Sequence, residues 1–332
     1  MFLLNETASP FSERAKVNGG TTAARESVGS KLSITERVWI DGFFVECVRR
    51  MPRFMRCLRP IITFSLWHVA SEWRRATLAN AAHLLGPEST AKQRKSLAKE
   101  VLSNFYLFIC EVGEASKLSA EAMALRVRVL SGLDEFIQMR RQQRGAILVT
   151  AHIGSFECSL AILQNFEENI HVLFARDDGG GFNRLRSMAR SRLRAQEAPV
   201  NDGLSTWIRL RDALKRNEVV VMQGDRVIPG QTGVKMPFFD GEASLPSGPI
   251  RLAMVTGAPI IPVYSTRLPN GQLMLSVEPS IEVDPNFEGP LAKHPAMTAL
   301  SASLQSVIGE NPGQWIVVDP IWPQTEVERE QE

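Results

Sequence analysis

Short apolar runs that end abruptly in polar residues recur through the C-terminal two thirds of the chain. The clearest covers residues 146–150, which follow Gly145 and stop at a small, polar turn carrying His152. Five apolar or β-branched residues bounded in this way predict a strand that is buried on both faces. The other predicted strands are residues 127–130, 171–175, 218–222, 259–264 and 273–278. The last two are expected to pair as a hairpin across a Pro-Asn-Gly turn.

Stretches with helical spacing of their apolar residues lie between these runs. They cover residues 89–113, 133–143, 204–216, 250–256 and 295–308, and a basic helix is predicted over 184–194. Strands that alternate with helices predict an α/β fold with a mixed, largely parallel central sheet flanked by helices. No internal repeat divides the chain. Residues 34–322 are therefore expected to form one domain, with a helical part at 34–125 and an α/β core at 126–322.

The helical part is expected to face a membrane. Residues 34–82 interleave aromatic and arginine side chains, namely Trp39, Phe43, Phe44, Phe54, Phe64, Trp67 and Trp73 with Arg49, Arg50, Arg53, Arg56, Arg59, Arg74 and Arg75. Such a pattern is typical of an amphipathic segment lying on anionic lipid. The alternative is a core-facing helix with a solvated basic face. Pro52 is expected to break or restart the helix.

The two ends and the overall hydropathy add little beyond this picture. Residues 1–33 are polar and lack a secretory signal, so they are expected to be a disordered tail, and residues 323–332 a loose acidic one. No run approaches the roughly 18 apolar residues of a membrane-spanning helix. Attachment to a membrane is therefore expected to be peripheral.

Composition excludes several functional classes. The 332 residues carry a net charge of +2, so no overall field favours nucleic acid. The four cysteines form neither a CxxC motif nor a disulfide framework, which indicates free thiols in a reducing compartment. The five histidines lack metal-ligand spacing, so no metal site and no cofactor is expected.

Three predicted strands end in chemically capable residues. His152 and Glu157 follow the first, Arg176 follows the second, and Asp225 with Arg226 follows the third. The carboxyl ends of neighbouring parallel strands converge on one crevice. An imidazole whose ring is held by a carboxylate, here expected to be Glu157, can act as a general base. Arginine forks beside it would suit a phosphate.

Each of these residues also has a plainer interpretation. His152 could be structural, Glu157 could favour a helix N-terminus, and Arg176 and Arg226 could form ordinary salt bridges. The basic helix at 184–194 could be a solvated face, or could hold a phosphopantetheine or a carrier protein. A thiol nucleophile at Cys158 lacks a second histidine beside it.

The motifs around these residues resemble a known family. His152-Ile-Gly-Ser-Phe-Glu157 resembles the HxxxxD/E motif of the lysophospholipid acyltransferase superfamily, and most closely its bacterial branch of lipid A lauroyl/myristoyl acyltransferases. Later blocks match in the same order: Arg176, Gly224-Asp225-Arg226 with residues 233–239, residues 245–263, and Asn311-Pro-Gly-Gln-Trp315. Arg74-Arg75 with Asn80 also falls where the family has a comparable stretch.

The resemblance implies a glycerol-3-phosphate acyltransferase-like sandwich that moves a fatty acyl group to a hydroxyl. The donor would be an acyl thioester on acyl-carrier protein or coenzyme A, and the acceptor a membrane lipid or glycolipid at the cytoplasmic face of the bacterial inner membrane. His152 would take the hydroxyl proton and Glu157 would orient the imidazole. Substrate would contact Gly154, Ser155, Arg176, Gly224, Asp225 and Arg226.

Other functions stay open at this point. The acceptor could be a phospholipid or another lipid served by acyl-CoA, because residues 316–322 lack the basic or aromatic ending common in lipid A enzymes, and Ser155-Phe156 stands where many relatives carry Asn-Trp. A thioesterase could use the same base on water. A non-catalytic membrane-binding protein could retain the fold, although it would have no reason to keep both His152 and Glu157.

Overall fold

The central sheet has seven strands. The computed structural model describes residues 34–175, 180–227 and 233–322, with only the backbone described at 34–41, 129 and 130. Within these residues the strands are β1 (Val127–Ser131), β2 (Ala146–Thr150), β3 (Ile170–Phe174), β4 (Gln196–Pro199), β5 (Val219–Gln223), β6 (Gly233–Phe238), β7 (Gly241–Pro246), β8 (Ile260–Arg267) and β9 (Leu273–Val277). The sheet runs in the order β1-β9-β8-β2-β5-β3-β4, and β6 and β7 form a separate hairpin. Only the β8–β9 pairing in the sheet is antiparallel.

Helices cover the sheet and build the N-terminal part. In the described residues they are α1 (Ile34–Arg50), α2 (Pro52–Cys57), α3 (Arg59–Val69), α4 (Ser71–Leu85), α5 (Ala91–Ala115), α6 (Ala120–Ala124), α7 (Leu133–Arg140), α8 (Phe156–Leu163), α9 (Gly181–Arg192), α10 (Leu204–Lys215), α11 (Gly248–Thr256) and α12 (Pro295–Glu310). Short 3₁₀ helices lie at Val200–Asp202, Leu291–Lys293 and Pro312–Gln314. Pro52 opens α2, as expected of a proline in the first helical turn.

Burial of β2 on both faces explains its uninterrupted apolar sequence. Successive side chains of a strand point to opposite faces of the sheet. Ala146 and Leu148 accordingly join the hydrophobic core shared with α5 and α8, whereas Ile147 and Val149 join the core shared with α10, α11 and α12. Fully burying one large aliphatic side chain contributes about 1.5–3 kcal/mol. This strand therefore anchors the residues that follow it.

The helix α5 connects the N-terminal helices to this core. It begins at a capping box in which Thr90 accepts from the backbone N–H of Gln93 and the Gln93 side chain accepts from that of Thr90. Further along α5, Tyr106 and Phe108 enter the hydrophobic core of the sheet. Tyr106 also donates a hydrogen bond to the Met55 carbonyl, which ties α2 to α5.

The predicted mixed, largely parallel sheet with flanking helices is confirmed, as is the hairpin of β8 and β9. The strand β4 and the β6–β7 hairpin were not predicted. Their sequences, QEAP and GVKMPF with GEASLP, combine proline with few β-branched residues, and they lie at the sheet edge or outside it. The expected tails at 1–33 and 323–332, and the side chain of Trp39, fall outside the described residues. Among the described helices, none is long and apolar enough to cross a membrane.

Candidate active site

The ends of β2 and β5 bring together two residues that are 73 positions apart in sequence. The strands pair in parallel with Thr150 opposite Gln223, so the segments that follow leave the sheet side by side. The backbone N–H of Gly224 donates to the Thr150 carbonyl at 2.9 Å, which extends the pairing by one step. His152 and Asp225 come next on their respective segments. The predicted convergence of these two strand ends is confirmed.

Asp225 holds His152 through both of its carboxylate oxygens. Its Oδ1 lies 2.9 Å from Nδ1 of the imidazole, and its Oδ2 accepts from the His152 backbone N–H at 3.0 Å. The Asp225 side chain is fully buried, whereas that of His152 is 19% exposed. Asp225 therefore holds the imidazole at Nδ1, and the rest of the ring is accessible to solvent.

Trp315 supplies a third donor to the same carboxylate. Its indole Nε1–H donates to Oδ2 of Asp225 at 2.7 Å, and the tryptophan is itself buried. The segment around it is pinned to the loop after β2, because Ile316 N–H donates to the His152 carbonyl and Gly154 N–H donates to the Gln314 carbonyl. The C-terminal segment thus forms part of the site.

These donors set the charge state of Asp225. Burial by itself favours the neutral acid, but the charge and hydrogen bonds of His152, together with the indole of Trp315, outweigh it and hold the pKa of Asp225 below its usual value. The group next to the imidazole is therefore an ionised carboxylate. An ionised partner on Nδ1 stabilises the imidazolium that forms when the ring takes a proton.

The predicted contact between Glu157 and the imidazole is wrong. Glu157 lies in the first turn of α8, and its Oε1 accepts from Nε of Arg186 and, at 3.0 Å, from Nη2 of Arg190. Both arginines lie on α9. The imidazole instead packs edge-on against Phe156, with ring centroids 5.6 Å apart. The carboxylate five residues after the histidine points to a neighbouring helix, and the one 73 residues away reaches the ring.

Glu157 and Arg190 form a buried ionic network. Both side chains are 2% exposed, and Arg190 also donates to Glu197 at 2.9 Å while its guanidinium lies 4.5 Å from the centre of the Phe174 ring. Burial favours neutral Glu157, but the two guanidiniums outweigh it and lower its pKa. Arg186 is more exposed, at 16%, and also borders the cavity described next.

His152 opens on a cavity of about 900 Å³ at the carboxyl edge of the sheet. One part of the wall is apolar and includes Leu173, Phe174, Leu204, Trp207, Ile208, Met222, Leu252 and Val255. Another part is basic and includes Arg186, Arg211, Arg226 and Arg251. The single acidic residue that the structure describes in the lining is Asp319, and it forms an ion pair with Arg226. The cavity therefore has a hydrophobic wall and a wall of net positive charge, and both lie beside the imidazole that Asp225 holds.

A family model described as bacterial lipid A biosynthesis acyltransferase matches residues 27–324. The chain belongs to this family. The resemblance to the bacterial lipid A acyltransferase branch is thereby confirmed.

Two known proteins show how similar this chain is in sequence to other acyltransferases. A phosphatidylinositol mannoside acyltransferase of Mycobacterium tuberculosis is 24% identical over 197 residues, which are 59% of this chain and 60% of that protein. A lipid A biosynthesis lauroyltransferase of Escherichia coli K12 is 25% identical over 232 residues, covering 64% of this chain and 69% of that protein. The similarity thus spans about three fifths of the length of the mannoside acyltransferase.

Of the other residues predicted to contact substrate in this member of the lipid A acyltransferase family, some line the cavity and others do not. Gly154, Ser155 and Gly224 are buried beneath the loops and do not line the cavity, whereas Arg226 does. Gly154 has a φ of +55°, and a Cβ there would lie 2.1 Å from the Ser265 carbonyl oxygen, so only glycine fits. Arg176 falls outside the described residues.

Burial excludes Cys158 as a nucleophile. Cys158 is fully buried, and burial raises the pKa of its thiol, so the thiolate that nucleophilic attack needs is disfavoured. In the part of the chain that the structure describes, no group of three histidine, cysteine or acidic side chains could hold a metal ion.

Three residues of the site were not assigned to it from sequence. Trp315 belongs to the Asn-Pro-Gly-Gln-Trp stretch, and its apolar context gave no sign of a hydrogen bond to Asp225. Arg186 and Arg190 belong to the basic helix, where their i, i+4 spacing places both on one face toward Glu157. That spacing on α9 was the one signal available.

Proposed function

We propose that this protein is an O-acyltransferase that moves a fatty acyl group from an acyl thioester to a hydroxyl of a lipid or glycolipid. The observation that carries the proposal is the His152–Asp225 pair at the mouth of a large cavity with apolar and basic walls. Membership of the acyltransferase family agrees with it. The catalytic pair in this proposal is His152 with Asp225, in place of His152 with Glu157.

The chemistry follows from the held imidazole. Nδ1 faces Asp225, so Nε2 is the nitrogen available to the acceptor hydroxyl. As Nε2 takes the hydroxyl proton, the hydroxyl oxygen attacks the thioester carbonyl carbon. The tetrahedral intermediate then collapses, the carbon–sulfur bond breaks, and the imidazolium returns the proton to the leaving thiolate. The products are an ester and a free thiol, and no acyl group is attached to the protein at any stage.

The cavity walls suit the two halves of such a substrate. The apolar wall formed by Trp207, Ile208 and Val255 offers hydrophobic surface to an acyl chain. The guanidiniums of Arg186, Arg211 and Arg251 suit phosphate oxygens. Both coenzyme A and the phosphopantetheine of an acyl-carrier protein carry phosphate near the thioester arm, so either donor fits this wall.

Glu157 has a positioning role in this proposal. Its carboxylate holds Arg186 at the edge of the cavity and neutralises the buried Arg190. Without it, two guanidiniums would repel each other near the substrate. The two ends of the HxxxxE motif then have different tasks: His152 in the loop is the base, and Glu157 in α8 holds the arginines.

The acceptor class rests on the family and on the N-terminal helices. The names of the two relatives refer to a phosphatidylinositol mannoside and to lipid A. In this chain Phe43, Phe54 and Phe64 are 75%, 56% and 68% exposed. Such side chains suit peripheral contact with a bilayer. We place the protein on the cytoplasmic face of the inner membrane, where acyl thioesters are made.

The test is an acyl-transfer assay with purified protein in detergent. Labelled acyl-carrier protein or acyl-CoA is supplied together with membrane lipids, and products are followed by mass spectrometry. Wild type is expected to give a lipid heavier by one acyl group, and His152→Ala is expected to give about 10²–10⁴-fold less, the usual contribution of a general base. His68→Ala, an exposed histidine on α3, is the matched control and should behave as wild type.

The outcomes separate the alternatives. Equal product from wild type and His152→Ala would contradict the proposed base. Free fatty acid in place of a heavier lipid would indicate a thioesterase. The donor that supports turnover, and the mass of the acylated lipid, identify the two substrates.

A further inference from the structure

A second cavity, of about 380 Å³, lies on a different face of α9 from the active-site arginines. It is an open groove between the end of α1, the residues after α5 and the second half of α9. Its lining consists of Arg49, Ser116, Lys117, Ser187, Met188, Ser191 and Arg192. Arg186 and Arg190 of the same helix point instead to Glu157. The arginines of α9 therefore belong to two different sites. Only the site at Glu157 has a role in the proposed acyl transfer.

The chemistry of this cavity suits a phosphate group. Three cations line it, and none of the described residues in the lining is acidic. Arg49 is already paired with Glu46, but Lys117 and Arg192 form no ion pair with any residue that the structure describes; Lys117 only donates to the Arg50 carbonyl at 3.2 Å. Two cations with unused hydrogen-bond donors are held near each other by the fold. A phosphate would accept from both and offset their mutual repulsion.

Hydroxyl groups on the same wall add neutral donors. Ser187 and Ser191 stand one helical turn apart on α9 and both face the cavity. Ser116 is buried and its hydroxyl donates to the Gly113 carbonyl at 2.7 Å, so it shapes the floor. Lysine, arginine and serine side chains together are the usual donors to phosphate oxygens.

Exposed apolar side chains on the cavity wall and near it in sequence indicate where such a phosphate comes from. Met188 on the wall is 38% exposed. Met51, two residues after the lining residue Arg49, is 48% exposed, and Phe43 on the same helix as Arg49 is 75% exposed, but neither of these two lines the cavity. Exposed apolar side chains next to cations match the interface of a bilayer, where the apolar groups enter the acyl boundary and the cations stay at headgroup level. A soluble phosphate would gain nothing from these apolar side chains.

We propose that the cavity between α1, α5 and α9 is a binding site for the phosphate of an anionic phospholipid headgroup. The site is distinct from the acyl-transfer cavity and does not involve His152. It would fix the orientation of the N-terminal helices on the membrane through α9, the helix whose other face carries Arg186.

The test measures binding of the full-length protein to vesicles, without any acyl donor. Vesicles contain phosphatidylcholine with or without phosphatidylglycerol, and bound protein is measured by co-sedimentation. Lys117→Gln combined with Arg192→Gln is compared with Lys92→Gln combined with Arg141→Gln. The control pair also removes one exposed lysine and one exposed arginine, at places outside the cavity.

The site predicts a difference between two variants of equal net charge. The cavity pair should weaken binding to phosphatidylglycerol vesicles about tenfold or more, since each basic group at an anionic surface contributes several-fold to affinity. The control pair should weaken it less than about threefold. Ser191→Asp, which puts a carboxylate on the same wall, should weaken binding as strongly as the loss of one cation. Thermal melting shows that each variant is folded.

Two results would overturn the proposal. If the cavity and control pairs weaken vesicle binding equally, only net charge matters and there is no site. If inorganic phosphate binds wild type and not the cavity pair in calorimetry, while vesicle binding is the same for both, the ligand is a free phosphate and the lipid assignment is wrong. Because no acyl donor is present, either result is independent of whether the protein transfers acyl groups.

Discussion

Asp225 accepts from both the side chain and the backbone N–H of His152, with one carboxylate oxygen committed to each. Asp225 therefore fixes the orientation of the imidazole ring relative to the backbone of His152. Trp315 donates to the oxygen that holds the backbone, so a residue from the C-terminal segment completes the arrangement. A general base held in this way is oriented before any substrate arrives, which is the main contribution a carboxylate makes to such a pair.

The indole of Trp315 is expected to matter more for stability than a comparable buried indole. Trp315→Phe removes a donor to a buried carboxylate, which should lower the free energy of unfolding by about 1.5–3 kcal/mol. Trp322→Phe is the control, since its indole donates to the neutral Phe238 carbonyl at 3.2 Å and its loss should cost about 0.5–1.5 kcal/mol. Urea unfolding measures both. Equal losses would contradict the role of Trp315 at Asp225.

A buried ion pair supports the segment that carries Trp315. Arg267, at the end of β8, donates to both oxygens of Glu111 on α5 at 2.8 and 2.7 Å, and exchanges two backbone hydrogen bonds with the Gln314 side chain. Arg267→Met should lower the free energy of unfolding by about 3–5 kcal/mol, because it leaves Glu111 charged and unpaired. Combining it with Glu111→Leu should recover part of that loss.

The exposed pair Arg144–Glu282 is the comparison for this effect. Its side chains are 38% and 63% exposed, so Arg144→Met should change the free energy of unfolding by no more than about 1 kcal/mol. A loss for Arg267→Met as small as that for Arg144→Met would show that the buried pair does not hold the segment.

Acid should remove the stability that Glu157 contributes. The two guanidiniums hold the pKa of folded Glu157 below its usual value of 4.5. A group with a lowered folded pKa contributes stability that is present above the unfolded pKa and is lost as pH falls through the folded one. The difference in unfolding free energy between wild type and Glu157→Gln should therefore be constant from about pH 7 down to near 4.5 and shrink below it.

Urea titrations across this pH range measure the difference. Glu168→Gln, which removes an exposed carboxylate just before β3, is the matched control. A difference for Glu157→Gln that grows on acidification would mean that the folded pKa is raised instead.

The basic wall of the cavity is expected to act on donor binding. Arg251 is exposed on α11 and lines the cavity. Arg251→Gln should raise KM for the acyl thioester about tenfold, the equivalent of one charge-assisted hydrogen bond, and leave kcat nearly constant. Lys215→Gln removes an exposed charge at the end of α10, outside the lining, and should leave KM unchanged. A fall in kcat without a change in KM for Arg251→Gln would contradict a binding role.

The sequence predicted the parts of this molecule that depend on local patterns. The apolar run of β2 and the polar turn after it located His152, and alternation of strands with helices predicted the sheet. The parallel pairing of β2 with β5 also followed from the expectation that strand ends converge. These inferences use periodicities of two and 3.6 residues, which are local properties.

The partner of the imidazole was not predictable in the same way. Glu157 is five residues from His152, but helix α8 turns its carboxylate toward α9, where Arg186 and Arg190 bind it. Asp225 reaches the ring because the register of β2 and β5 sets Thr150 opposite Gln223. A one-residue change of that register would move the carboxylate to the other side of its segment. Register depends on tertiary packing, and so the pairing appears only in the structure.

The proposed mechanism requires Asp225, and not Glu157, as the partner of the catalytic imidazole. The direct measurement is kcat of Asp225→Asn and of Glu157→Gln, each with a melting curve at the same pH. Asp225→Asn should lower kcat by about 10³–10⁴-fold, as expected when the carboxylate behind a catalytic histidine is neutralised. Glu157→Gln should lower stability and raise KM, with a much smaller change in kcat. The opposite result, a folded Glu157→Gln without activity and an Asp225→Asn that turns over like wild type, would contradict the account.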